Sequence, residues 1–168
     1  MIERQIFSHL AGWNLEDLEG PQETLFSLTL SGIEIEVRKL QATSQLADTE
    51  RITQAFGICK PDGTQLGVID GSVAANDPES FYLFHVSNSH RSRMGDATEN
   101  SSLYIPRVVS KVIEELLIRG HVKKFYSPKL SSGWILPAGR EMFTKQLISS
   151  DAVAVTVEDD RYVVEKAD

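Results

Sequence analysis

A single cysteine in 168 residues is the first scarcity. Cys59 has no partner for an internal disulfide, and its apolar, strand-like surroundings suit a small core residue better than a nucleophile. Long apolar runs are missing too, and none approaches the ~20 residues that a membrane helix needs. The opening residues, Met1-Ile2-Glu3-Arg4-Gln5, lack a basic stretch followed by an apolar one. Export is therefore not indicated, and a reducing cytoplasm is the expected location. Basic residues are outnumbered, 17 against 24 acidic ones, for a net charge of −7. Broad binding to nucleic acid needs lysine and arginine to neutralise phosphates, so that function is disfavoured. An acidic surface either steers a cationic substrate or simply keeps the chain soluble. No His/Cys/Asp/Glu group has metal-ligand spacing, so no metal is expected. No nucleophile elbow, Walker loop or dinucleotide fingerprint occurs.

What is present is an ordinary core-forming composition, with 41% hydrophobic and 24% charged residues. The length fits one domain, 1–168. Residues 2–10 carry apolar side chains at helical spacing and predict a short amphipathic helix. Strands are predicted over 25–30, 33–37, 51–59, 65–73, 81–87 and 123–127, with a terminal hairpin of 152–157 and 161–165 turning at Asp159-Asp160. The polar stretch 41–50 reads as a loop or helical turn. Ile105, Val108, Val109, Val112, Ile113, Leu116 and Leu117 mark one face of a helix over 106–119, with Pro106 in its first turn and Gly120 at its end. A second helix is predicted from Pro137 to Leu147. Hairpins followed by strand–helix–strand give an α+β domain with a mixed, mostly antiparallel sheet of about seven strands.

The segment 81–147 carries the most chemistry. A strand ends in the loop His90-Arg91-Ser92-Arg93-Met94-Gly95-Asp96-Ala97, and a helix follows. A helix N-terminus attracts anions through its dipole and unpaired N–H groups, and arginine adds bidentate hydrogen bonds to phosphate. Arg91 and Arg93 either clamp a pyrophosphate or belong to a solvated loop. Gly95 either lets a ligand approach the backbone or serves a turn.

This order of elements resembles the central half of the GNAT acetyltransferase superfamily. The family's Arg/Gln-x-x-Gly-x-Gly/Ala motif is matched in its Gly-x-Ala half by Gly95-Asp96-Ala97, while Ser92 takes the Arg/Gln position. Residues 98–102 also intervene before the helix, where the family's helix begins inside the motif. Gly139-Arg140-Glu141-Met142-Phe143-Thr144-Lys145-Gln146-Leu147 is similar to the family's final helix, with Phe143 where a tyrosine acid is usual.

The resemblance implies a GNAT-like sheet with a long helix between the central strands and a short helix before the C-terminal hairpin. It implies acetyl-CoA as cosubstrate, its pyrophosphate on Arg91, Arg93, Met94, Gly95 and Ala97. Its pantetheine arm would pair with the strand that ends at Val86 and Ser87, in a gap between the two strands flanking the helix. The activity implied is acyl-CoA-dependent N-acyl transfer to an amine by direct attack on the thioester. Backbone N–H groups near a bulge in that strand would polarise the carbonyl. The base is sought on that strand or its neighbour, where His85 and Asp70 stand. His85 has a suitable intrinsic pKa, but a histidine in an apolar strand is also a common core residue. Asp70 is either a base or a turn residue at a strand end. Tyr126 and Tyr104 are the hydroxyls that stand in for the tyrosine absent at Phe143, and Ser131, Ser132 and Trp134 lie on the acceptor side. The departures at Ser92, 98–102 and Phe143 keep a second reading open: a GNAT-shaped binding or assembly module without catalysis. The amine acceptor is not identified, and a homodimer is compatible with either reading.

Overall fold

The structure, a computed structural model, describes residues 22–30, 32–45, 51–63, 65–87, 105–133, 135 and 137–168. Five strands run antiparallel, each beside its predecessor: β1 (Gln22–Leu30), β2 (Ile33–Gln45), β3 (Arg51–Cys59), β4 (Gln65–Ala74) and β5 (Asp77–Ser87). Helix α1 (Ile105–Ile118) then leads to β6 (Lys124–Tyr126), which lies parallel to β5. A 3-10 turn at Leu130–Ser132 precedes α2 (Pro137–Glu141), which continues as a π-helix over Met142–Leu147. β7 (Val153–Glu158) and β8 (Arg161–Lys166) form the terminal hairpin, and β8 lies next to β6. The chain is therefore α+β, with one eight-stranded, mostly antiparallel sheet.

Local sequence explains these elements. β2 alternates: Ile35 and Val37 are buried, while Glu36 and Arg38 on the other face form a 2.9 Å ion pair. In α1 the six residues Val108, Val109, Val112, Ile113, Leu116 and Leu117 are buried. Gly120, at φ 78°, ends that helix, and the His121 N–H donates back to the Leu116 carbonyl at 2.9 Å. Asp159 and Asp160, at φ 49° and 62°, supply the paired left-handed residues of a two-residue hairpin turn. One face of the sheet holds the helices and the core. There Phe56, Phe81 and Phe125 of β3, β5 and β6 meet at ring separations of 5.2 Å for the first pair and 5.2 Å for the second.

Several expectations change. The sheet has eight strands, not about seven: every segment read as a strand, the short β6 and both hairpin strands included, joins it. β2 runs on to Gln45, where a loop was predicted from 41; pairing with β3 at Gln41↔Gln54 and Gln45↔Ile52 holds those polar residues extended. β6 is only three residues long. The second helix is α-helical for five residues and then π-helical for six. The predicted helix over 2–10 lies outside the described residues. None of the helices among the described residues is long and apolar enough to cross a membrane.

Candidate functional site

β5 and β6 pair at only three positions, Ser80↔Lys124, Phe81↔Phe125 and Tyr82↔Tyr126. Aromatic pairs hold both faces of this seam. Phe81 and Phe125 meet on the helix side at 5.2 Å, and Tyr82 and Tyr126 stack on the other side at 4.5 Å and 9°. Beyond Tyr82 the two strands part. β5 stays with β4 through Leu83↔Gly71, His85↔Asp70, Val86↔Ile69 and Ser87↔Val68. The chain after β6 stays with β8 instead. The Ser127 N–H donates to the Tyr162 carbonyl at 2.9 Å, and the Ser127 hydroxyl accepts from the Tyr162 N–H at 2.9 Å. The Arg161 guanidinium donates to the Ser127 carbonyl at 2.7 Å. Residues 83–87 thus wall a notch, and no described strand pairs with β5 on that side.

The first step of the notch carries a β-bulge. Asp70 and Gly71 are consecutive, but their partners His85 and Leu83 are not, so Phe84 is an extra residue on β5. A bulge breaks the ladder locally and re-aims the backbone. Gly71 makes room for it. A Cβ there would lie 2.1 Å from the Tyr82 carbonyl oxygen and 2.7 Å from Phe81 Cζ.

Asp70 sits in the middle of β4 and is 0% exposed, so the turn reading is overturned. Alternation puts it on the face opposite the helices, in a buried row with Val68 and Ser72, and across from Ala55 of β3. A carboxylate taken out of water must be hydrogen-bonded or charge-compensated to be tolerated. His85 is its register partner on the second side. Tyr126 is half-buried at the mouth of the notch. Burial pushes its phenol pKa up, with Lys124 opposing in part. Arg161, anchored on Ser127, places its guanidinium 5.2 Å from the Tyr82 ring centre.

Phe143 is not at the notch. It is 1% exposed and stacked on Tyr162 at 5.1 Å and 15°, inside the core. A hydroxyl at this position would point into packed side chains, not at a leaving group. Val86 is partly buried against the core edge. Ser131 holds Asp160: its N–H donates to that carboxylate at 3.1 Å and its hydroxyl donates to the same oxygen. Ser131 therefore braces the hairpin turn. Arg91, Arg93, Met94, Gly95, Ala97, Tyr104 and Trp134 lie outside the described residues. A separate cleft of about 370 Å³ opens on the helix side, between α1 and the end of the π-helix, beside Arg107, Lys111, Gln146 and Ser149. Lys111 is already met there by Glu114 at 3.3 Å and Glu115 at 3.7 Å.

Three residues of this site escape the sequence reading: Gly71, Ser127 and Arg161. Only Gly71 carries a signal, as a glycine inside an alternating strand, which often marks a bulge or a close backbone approach.

No protein-family model matches the chain, and no curated protein matches its sequence. Among solved structures, one of nourseothricin acetyltransferase is similar over 94% of this chain and 90% of that one, at 13% identity and a TM-score of 0.33. That overlap is too loose to define a shared fold.

Proposed function

We propose that the chain is an N-acyltransferase of GNAT-like architecture that moves an acyl group, acetyl in the first instance, from acyl-CoA to an amine. One observation carries the reading. β5 outruns its parallel neighbour β6 at the end that leads towards α1, and it is bulged where the two separate. Backbone N–H and C=O groups freed in this way must find partners, and an extended amide-bearing arm such as pantetheine supplies both. The pyrophosphate would then fall to Arg91, Arg93, Met94, Gly95 and Ala97, ahead of the helix.

The chemistry is direct. The neutral amine nitrogen attacks the thioester carbonyl, the C–S bond breaks, the amine loses a proton and the thiolate gains one. Holding both reactants in one notch supplies much of the rate. His85 is the base in this reading, with Asp70 opposite it to orient and charge-stabilise the imidazolium that forms. Tyr126, its phenol pKa raised further by burial, is the acid for the thiolate in this reading. A binding module without turnover is the second reading, and the burial of Phe143 favours it because that position of the last helix brings no acid to the notch.

The test is calorimetric titration with acetyl-CoA, followed by thiol release over a panel of amines and peptides. Binding with release supports the enzyme. Binding without release selects the module. The absence of binding at millimolar acetyl-CoA sinks the enzyme and leaves the module.

A further inference from the structure

β7 closes one end of the sheet, and among the described residues nothing pairs with its outer edge. Its inner edge follows β8 from Val153↔Lys166 to Glu158↔Arg161 without a register shift. An open edge of this kind templates another strand unless charge, proline, a bulge or a cover blocks it. Proline and a bulge are absent, and charge is confined to the last position, Glu158: the strand reads Val-Ala-Val-Thr-Val before it. A net charge of −7 disfavours self-association in general, whereas Val153 to Val157 carry no charge. Val157 is also 60% exposed, although its strand-mates Val153 and Val155 are turned into or against the core.

We propose that the outer edge of β7 pairs antiparallel with the same strand of a second copy, about a two-fold axis at Val155. One sheet would then run through both copies. This register sets Val153 opposite Val157 of the second copy, and Val155 opposite its own equivalent. All the valines then share the helix-bearing face, and the exposed Val157 is covered. Slipping by one residue would set valines against Ala154 and Thr156 and turn one copy's apolar face to the wrong side. A self-matched patch closes as a dimer and does not propagate. Six residues of edge make a small interface, so the dimer is an equilibrium that rises with concentration. At its ends Asp159 approaches Asp151 of the second copy, so added salt tightens the association.

Sedimentation velocity from micromolar to millimolar protein tests this directly. The expected result is a shift from monomer to dimer, stronger at higher salt. Val157→Lys should weaken it by on the order of tenfold or more with an unchanged circular dichroism spectrum, and Val157→Ile should preserve it. Register is read by oxidative cross-linking, since Cys59 is buried and only an introduced thiol can react. Val155→Cys should cross-link to itself. Ala154→Cys should cross-link only when mixed with Thr156→Cys, two exposed positions that remain informative even where Val155→Cys disturbs packing. A monomer at every concentration overturns the proposal. So does a dimer that Val157→Lys leaves intact, or one in which Ala154→Cys links to itself.

Discussion

A Cβ atom on Gly71 would sit 2.1 Å from the carbonyl oxygen of Tyr82. That single distance ties one residue of β4 to the stretch of β5 just before its bulge, whose extra residue Phe84 lies two positions beyond Tyr82. Gly71→Ala should therefore cost about 1–3 kcal/mol or more, as forced methyls in packed interiors do. Denaturant unfolding measures the loss, and amide exchange at 83–87 should rise with it. A change within about 0.5 kcal/mol would mean that the bulge tolerates a side chain.

Leu116 is 0% exposed on the buried face of α1. Leu116→Ala should cost about 2–5 kcal/mol, the range for large-to-small core changes. Thermal or urea unfolding checks it.

Phe143→Tyr separates a core residue from a misplaced catalytic one. Because Phe143 packs on Tyr162 in the interior, the added hydroxyl loses its water without a ready partner. The expected outcome is a destabilisation of about 1–3 kcal/mol and no gain in thiol release. Faster release from a variant of unchanged stability would return position 143 to the site.

Tyr126→Phe probes the proposed acid. A thiol with a pKa of about 8.5 is a tolerable leaving group, so the loss in kcat should fall near the lower end of the ~100-fold to ~10,000-fold that a positioned acid contributes. KM for acetyl-CoA should hold. The Tyr126 pKa is raised above the phenol's usual value by burial. Wild-type activity should then show no basic-side decline from this group until pH passes about 10.

Asp160 makes the hairpin turn sensitive to acid. Hydrogen bonds from the Ser131 hydroxyl and N–H hold its pKa below the usual carboxylate value. A lowered folded-state pKa contributes stability above the unfolded value of about 3.9. That contribution disappears as pH falls through the folded value. Asp160→Asn should remove that part of the pH dependence, read from melting temperatures between neutral pH and strong acid. Cys59 behaves oppositely. Burial pushes its thiol up to about 11, so it should stay silent to thiol reagents until the chain unfolds, leaving a thiol-release assay without background.

The strands were legible wherever one face is apolar, as in Ile33-Glu34-Ile35-Glu36-Val37, because alternation is a direct image of a half-buried sheet. So was α1, whose stripe and Gly120 stop are local. The end of β2 was not: Gln41-Ala42-Thr43-Ser44-Gln45 has no apolar face, and only its partner β3 keeps it extended. The site was half-legible. His85 and Asp70 lay on neighbouring strands as expected, but their opposition depends on the extra residue Phe84, which nothing in β5 itself announces. Tyr126 could be placed at a strand end, while the stack with Tyr82 and the brace from Arg161 and Ser127 arise from strands distant in sequence.

The three-position seam between β5 and β6 also governs the order in which the molecule comes together. β1 to β5 join neighbours in sequence, so each closes a short loop and can form early. The parallel step from Tyr82 to Tyr126 must wait for α1 and for everything between them. The β6–β8 module is therefore expected to dock last and to detach first, with amides along the seam exchanging at a lower free energy than those at Phe56 or Ile69. A ligand seated in the notch would grip both sides of that joint, so its binding should register as slower exchange along the seam.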